Sequence, residues 1–156
     1  MAKAKVLTLL IPTDGKRVLL GLKKRGFGEG YYNGFGGKVE PSDESVEAAA
    51  RRELEEEAGV TAKECVRKGL LRFHFDDKPV PWEVHVFTTG LNLEPKEPKE
   101  TEEMKPQWFA VEDIPYQKMW ADDEYWYPLL LAGKEFEGDF YFENTHKLVR
   151  HHLRET

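Results

Sequence analysis

The chain contains one cysteine, Cys65, so it cannot form an intrachain disulfide, and a reducing compartment suits it. Long apolar runs are missing as well, since the first one, residues 6–11, is too short for a secretory signal or a membrane span. Basic residues are outnumbered by acidic ones, 23 to 29, and the formal net charge of −6 argues against a nucleic-acid polymer as the main ligand. We therefore expect a cytoplasmic protein, with nuclear or mitochondrial pools compatible, that binds neither a membrane nor a nucleic-acid polymer.

Internal repeats, low-complexity tracts and long linkers are also missing from the 156 residues. Nothing divides the chain, and its length is enough to bury a proper core. We expect one domain over residues 1–156, acting as a monomer on a small-molecule substrate.

Short apolar runs bounded by Gly, Pro and Asp-Gly turns predict a chain rich in strands. The predicted strands cover residues 6–12, 17–24, 35–39, 64–75, 82–89, 107–111, 136–142 and 146–153. Two substantial helices are predicted over 44–58 and 120–132, with a helical turn at 113–116 and a surface loop at 91–104. Mixed order with hairpins and only two such helices predicts an α+β fold, in which helices sandwich a sheet.

The helix over 44–58 is the best defined element of the sequence. It contains no Gly or Pro and is filled mainly with Ala, Glu, Arg and Leu, the strongest helix formers. Ser42, Asp43 or Ser45 could cap its start, and Gly59 is placed to end it in the left-handed conformation.

Three glutamates of this helix are predicted to face the protein. At about 100° per residue, Glu53, Glu56 and Glu57 continue the apolar stripe of the helix. A solvated helix with Glu/Arg pairs four apart, such as Glu47 with Arg51, explains the opposite face but not this one. Ionised carboxylates so close together would repel by roughly 3 kcal/mol per pair at an effective dielectric near 20. A hard divalent cation such as Mg²⁺ relieves this repulsion best with oxygen ligands.

A glycine-rich turn, Gly34-Phe35-Gly36-Gly37, precedes the helix. Three of its four residues lack a Cβ, so the backbone can approach a ligand closely. The turn and the acids together predict a metal–phosphate site.

The same stretch resembles the Nudix box, in which a glycine is followed by a helix with the pattern Arg-Glu-aliphatic-x-Glu-Glu-x-Gly-aliphatic. The fixed positions are occupied here by Gly37, Glu44, Arg52-Glu53-Leu54, Glu56-Glu57 and Gly59-Val60. One departure is an extra loop residue: six residues separate Gly37 from Glu44 where the pattern has five. The resemblance implies a Nudix-type α/β/α sandwich with a mixed β-sheet, and a hydrolase that uses Mg²⁺, with Mn²⁺ as a substitute.

Within the Nudix family, nearly the whole chain resembles members that hydrolyse oxidised purine nucleoside triphosphates to the monophosphate and pyrophosphate, notably through residues 23–28, 33–39, 84–87 and 119–126. Carried over by position, the resemblance implies a catalytic group of Arg52, Glu53, Glu56 and Glu57. The implied substrate-binding residues are Thr8, Lys23, Phe27, Asn33, Phe35, Gly36, Gly37, Lys38, Phe73, Phe75, Trp120, Asp122, Asp123 and Trp126. The implied metal ligands are the Gly36 carbonyl, Glu53, Glu56, Glu57 and Glu103.

An aromatic ring beside two acids, in Trp120-Ala121-Asp122-Asp123, is typical of purine recognition, because the ring can stack while a carboxylate binds the base edge. Adjacent carboxylates in an apolar pocket raise one pKa, and a protonated acid can donate a hydrogen bond to the base. The alternative is structural, with Asp122 as a helix N-cap and Asp123 as a first-turn acid. Both interpretations can hold together.

Three further residues each allow two interpretations. Lys23 either supports the acids of the pocket with its charge or is an exposed lysine at a strand end. Glu103 is either a metal ligand or part of a solvated acidic loop. Trp82 departs from the slimmer side chain of the relatives, which would either narrow the pocket or change its preference among modified bases.

Two other functions fit the same sequence. A Nudix hydrolase could act on a different diphosphate, such as ADP-ribose, a dinucleoside polyphosphate, a capped RNA end or a diphosphoinositol. The second alternative is a nucleotide-binding module without activity. Such a module would be expected to have lost one of Glu53, Glu56 and Glu57, and all three are present.

Overall fold

The computed structural model describes residues 4–156. Along this part of the chain, the strands are β1 (Lys5–Pro12), β2 (Arg17–Lys23), β3 (Tyr32–Asn33), β4 (Thr61–Ala62), β5 (Val66–Phe75), β6 (Trp82–Thr89), β7 (Leu93–Glu94), β8 (Met104–Ala110), β9 (Phe136–Glu143) and β10 (Lys147–Glu155). The α-helices are α1 (Val46–Ala58) and α2 (Asp123–Leu131), and two 3₁₀ turns, Val111–Asp113 and Tyr116–Lys118, precede α2. Neither helix of the described residues is long and apolar enough to cross a membrane.

A five-stranded mixed sheet forms the centre of the fold, with the strand order β1-β6-β5-β9-β10. The pairs β1/β6 and β5/β9 are parallel, and the pairs β5/β6 and β9/β10 are antiparallel. Strands β3, β2 and β8 form a second, antiparallel sheet, and β4 pairs with β7. The predicted α+β class with a mixed sheet is confirmed.

The helices cover opposite faces of the central sheet. Leu10 and Phe87 belong to the apolar cluster under α1, together with Leu54. Their chain neighbours Ile11 and Val86 belong to the cluster that contains α2. Because successive side chains of a strand point to opposite faces, β1 and β6 contribute to both cores, and the sheet is sandwiched. Burial of each side chain of this size contributes about 1.5–3 kcal/mol to the stability of the fold.

Helix α1 begins at Val46, two residues after the predicted start. The Ala48 N–H donates to Ser45 Oγ (3.0 Å), so Ser45 is the cap among the three candidates. Gly59 ends the helix with φ = 68°, the left-handed conformation that glycine adopts without strain. The predicted stop is confirmed.

The prediction of a strand over 35–39 is wrong. This segment instead makes two isolated pairs with β1, at Phe35 with Leu10 and at Lys38 with Leu7. At Gly36 the backbone crosses β1 so closely that a Cβ would overlap the Thr8 carbonyl oxygen. A close crossing of this kind interrupts a regular ladder, and only glycine permits it.

Other boundaries also move. The strand predicted at 107–111 begins earlier, as β8, and the helix predicted at 120–132 is the shorter α2. The predicted loop at 91–104 contains the short strand β7, and β3 was not predicted. The helical turn predicted at 113–116 lies between the two 3₁₀ turns. The strand predicted at 146–153 is confirmed as β10.

Candidate active site

Helix α1 carries three glutamates of the predicted site at three depths. Glu57 is buried, at 6% exposure, whereas the side chains of Glu53 and Glu56 are 14% and 56% exposed. The prediction that all three face the interior is therefore wrong for Glu56. The buried stripe runs through Leu54 and Glu57, and the step of about 100° from Glu57 turns Glu56 to the flank, where Arg52 pairs with it.

The glycine turn contacts these acids directly. The Gly36 N–H donates to Glu57 Oε1 (2.9 Å), which joins the turn to the helix. A Cβ at Gly37 would overlap Glu53 Oε2. Gly37 is therefore required by the close approach of backbone to carboxylate, and Gly36 by its close crossing of β1 at Thr8.

The same two carboxyls have perturbed acidities. Burial, followed by the charge of Glu53, raises the pKa of Glu57 to about 8. Burial and hydrogen bonding with Glu56 raise the pKa of Glu53 to about 7, against the opposite effect of Arg52. Two acids that resist ionisation side by side are the electrostatic setting that a divalent cation relieves, so this donor set fits the predicted metal.

Glu103, the remaining predicted carboxylate ligand, is engaged elsewhere. Its carboxylate pairs with Lys23 Nζ (3.1 Å) and Arg25 Nη2 (2.6 Å). Within residues 4–156, no group of three His, Cys, Asp or Glu side chains is arranged to hold a metal ion. The predicted ligands are thus not assembled in this conformation, because Glu56 and Glu103 are each held by basic side chains.

A cavity of about 320 Å³ opens beside Glu57, a size typical of small-molecule sites. Most predicted substrate-binding residues lie in its wall: Thr8, Lys23, Phe27, Asn33, Gly36, Gly37, Lys38, Phe73, Phe75, Trp120, Asp122 and Asp123. Sequence reasoning missed other members of the wall: Lys5, Leu7, Leu9, Gly28, Gly34, Val84, Met104 and Phe142. Most of these belong to apolar strands, whose pattern does not distinguish a cavity wall from a closed core.

Two predicted substrate-binding residues lie outside the cavity wall. Phe35 is fully buried in the core under α1. Trp126 is fully buried in the core of α2, and its indole N–H donates to Asp122 Oδ2 (2.8 Å). Because Trp126 and Asp122 are one helical turn apart, the indole positions that carboxylate and does not touch a ligand.

Asp122 and Asp123 form a buried carboxyl pair in the cavity wall, at 3% and 2% exposure. Burial raises the pKa of both, and the charge of Asp122 and a hydrogen bond between the carboxyls raise the pKa of Asp123 furthest. Asp123 is therefore the harder of the two carboxyls to ionise, and its Oδ2 has no hydrogen-bond partner in the described chain. Asp122 stands at the N-cap position of α2 and Asp123 in its first turn, as the structural alternative expected, although within residues 4–156 the Asp122 carboxylate makes no capping hydrogen bond.

Aromatic rings surround the mouth of the cavity. Phe27, 45% exposed, stacks on Trp120 with 5.0 Å between ring centroids. His146 stacks on Trp120 at 4.8 Å. Stacking of a purine on Trp120, as the sequence suggests, thus competes with the contacts that Phe27 and His146 make to the indole ring. The loop of Phe27 contains three glycines with positive φ: Gly26, Gly28 and Gly30.

Comparison with known proteins agrees with this geometry. The NUDIX domain family matches residues 1–130. The chain belongs to the Nudix family. The Danio rerio protein named oxidized purine nucleoside triphosphate hydrolase is 47% identical over 155 residues, covering 99% of this chain and 97% of the relative. The Mus musculus protein of the same name is 43% identical with the same coverage.

Among solved structures, the MutT protein from Bacillus halodurans superimposes with a TM-score of 0.81 at 26% identity, covering 96% of this chain and 97% of that chain. The Nudix sandwich expected from the sequence is confirmed.

In this Nudix chain, Arg52 pairs with an acid of the loop that carries the extra residue. The motif acid Glu44 is exposed and lies outside α1, whereas Asp43 makes two bonds to the guanidinium, Nε–Oδ1 at 2.8 Å and Nη2–Oδ2 at 3.0 Å. Arg52 also reaches Glu53 (3.0 Å) and the Lys38 carbonyl (3.3 Å). Sequence reasoning treated Asp43 only as a possible cap and missed this pairing.

Proposed function

We propose that this Nudix chain hydrolyses oxidised purine nucleoside triphosphates, such as 8-oxo-dGTP and 2-hydroxy-dATP, to the monophosphate and pyrophosphate. The observation that carries the proposal is one cavity whose wall holds both Glu57 and the buried Asp122–Asp123 pair. Two relatives that share 47% and 43% of their residues with this chain bear that activity in their names. The activity would remove damaged nucleotides from the cytoplasmic pool, and it is compatible with a nuclear or mitochondrial location as well. A monomer is sufficient for it.

Base recognition uses the carboxyl pair, in which Asp123 is the harder acid to ionise. The protonated carboxyl can donate to a carbonyl or ring nitrogen of the base, while Asp122 remains an acceptor. Asn33 Oδ1 accepts the Gly34 N–H (2.8 Å), which leaves the Asn33 amide group free to donate. Oxidation of a purine exchanges donors and acceptors along its edge. A buried site with fixed donors and acceptors discriminates between those patterns, because a mismatch leaves a buried polar group unpaired.

Nudix hydrolases generally use divalent metal ions. In this chain the proposed ligands of Mg²⁺, or of Mn²⁺ in its place, are the carboxylates of Glu53, Glu56 and Glu57 and the Gly36 carbonyl, with Glu103 once it leaves Lys23 and Arg25. When bound, such an ion offsets the charge of the acids and phosphates and makes water more acidic.

Hydrolysis then needs one water and one proton acceptor. The water oxygen attacks the β-phosphorus, the bond from that phosphorus to the α–β bridging oxygen breaks, and the nucleoside monophosphate leaves with the bridging oxygen. The proton of the water passes to a carboxylate. We assign this role to Glu57, because its carboxylate lies in the cavity wall, whereas Glu56 is more than half exposed.

The test is release of nucleoside monophosphate with Mg²⁺, followed by chromatography. The panel contains 8-oxo-dGTP, 2-hydroxy-dATP, dGTP, dATP and ADP-ribose. We expect the oxidised triphosphates to have the highest kcat/KM, and Glu57→Gln to lose about 10²–10⁴-fold in kcat. Asp123→Asn is expected to reduce the preference for oxidised bases. Glu55→Gln, an exposed position of α1, is the matched control and is expected to behave as wild type.

Three outcomes would refute the proposal. Turnover that favours ADP-ribose would indicate a different Nudix substrate, and equal turnover of dGTP and 8-oxo-dGTP would remove the role of the carboxyl pair. Binding without turnover by the wild type would indicate a nucleotide-binding module.

A further inference from the structure

Three aromatic rings form a cage at the mouth of the cavity. Phe27, Phe75 and Trp82 all line the cavity, and they contact one another in pairs. The ring centroids are 4.9 Å apart for Phe27 and Trp82, 5.0 Å for Phe75 and Trp82, and 5.9 Å for Phe27 and Phe75. The rings belong to three segments, the loop after β2, the end of β5 and the start of β6, so the cage exists only in the folded protein.

The ammonium group of Lys78 lies against all three rings. Its Nζ is 5.5 Å from the centroid of Phe27, 5.8 Å from Phe75 and 5.6 Å from Trp82, within the range of cation–π attraction. The turn between β5 and β6 directs it there, since the Lys78 N–H donates to the Phe75 carbonyl (3.2 Å). The following Pro79 further restricts the backbone of Lys78.

Aromatic cages of this kind bind cationic ligands, because the faces of the rings are electronegative. Here the ammonium group of Lys78 lies against the cage from outside the cavity wall, so its charge acts on a base in the cavity across the three rings. Lys5 adds a second ammonium 4.8 Å from the Trp82 ring. The buried acids Asp122 and Asp123 alone would favour a positively charged base, so the lysines oppose that preference.

We propose that Lys78 is a specificity-determining residue that excludes cationic purines, such as N7-methylated guanine, from the pocket. The proposal rests on the proposed function, since it concerns the base that the same cavity accepts. A neutral oxidised purine meets no such repulsion. Removal of the ammonium takes away this repulsion and leaves the electronegative rings of the wall, which attract a cationic base.

The test compares equilibrium binding of GTP and 7-methyl-GTP without Mg²⁺, so that neither is hydrolysed, at a mildly acidic pH where the methylated base is cationic. The variants are Lys78→Met, Lys78→Gln as a second neutral variant, and Lys78→Arg, which keeps the charge. Lys63→Met, at an exposed position outside the cavity wall, is the control. We expect both neutral variants to shift the ratio of Kd values about tenfold towards 7-methyl-GTP, and Lys78→Arg and the control to keep the wild-type ratio.

An unchanged ratio in both neutral variants would overturn the proposal. So would a gain in 7-methyl-GTP binding that persists when Trp82→Leu is added to Lys78→Met, because the cage would then not be the site of the gain. Turnover of 8-oxo-dGTP by the wild type is measured alongside. Normal turnover with an unchanged ratio refutes this inference alone, whereas absent turnover with a shifted ratio refutes the proposed function alone.

Discussion

Glu57→Gln is expected to stabilise the metal-free protein at alkaline pH while it lowers kcat. Burial raises the pKa of Glu57 from its ordinary value of 4.5 to about 8, so the folded protein binds this proton more tightly than the unfolded chain. Stability therefore decreases as the pH rises from about 4.5 to about 8, and the loss is complete above the folded pKa. Glutamine has no such proton, and its amide oxygen can still accept the Gly36 N–H.

The size of the effect follows from the two pKa values. Their difference corresponds to at most about 5 kcal/mol of unfolding free energy in the alkaline limit. For a protein of this length, each kcal/mol shifts Tm by about 2–4 °C. We expect Glu57→Gln to melt about 5–15 °C above the wild type near pH 9, with the gap closing as the pH approaches 5.

The assay is thermal unfolding in EDTA over this pH range, repeated with Mg²⁺. Glu55→Gln is the control and is expected to follow the wild-type curve. Added Mg²⁺ is expected to stabilise the wild type more than Glu57→Gln, because the ion removes the penalty of the buried charge. If the difference in Tm between wild type and Glu57→Gln is the same at every pH, the interpretation of Glu57 as a buried acid with a raised pKa is wrong.

Two further predictions concern side chains that act through a neighbour. Asp43→Asn is expected to lower kcat/KM about 10–100-fold, because it releases Arg52, whereas Glu44→Gln is expected to have no effect; equal losses in steady-state assays would contradict this reasoning. Trp126→Phe is expected to lower the unfolding free energy in urea by about 1–3 kcal/mol, because Asp122 loses a buried donor. The same cost measured in an Asp122→Asn background would show that the two side chains are not coupled.

Local signals in the sequence were enough to predict helix α1 and its acids. The absence of Gly and Pro, the three candidate caps and the stop at Gly59 all act within a few residues, and the structure shows one of those caps, Ser45, and the same stop. The burial of Glu57 followed from helical periodicity. The Nudix pattern added the family and the sandwich, which no local signal supplies.

Long-range contacts account for what the sequence did not predict. Periodicity gives the direction of each side chain around a helix but not the width of the buried stripe. Glu56 was therefore predicted to face the interior, although it lies just outside that stripe. The pairing of Asp43 with Arg52 depends on the path of a loop with one extra residue. Trp126 and Phe35 are aromatic residues of the kind that line binding pockets, yet packing places both in closed cores.

Arg52 binds the 38–43 loop and helix α1 at once, so the loop is tied to the helix that carries the acids. The opposite rim is built differently: Phe27 is partly exposed and sits on a loop with three left-handed glycines. We therefore expect nucleotides to enter, and the monophosphate to depart, past Phe27. The acids of α1 would then keep their arrangement from one catalytic cycle to the next while the Phe27 loop opens and closes.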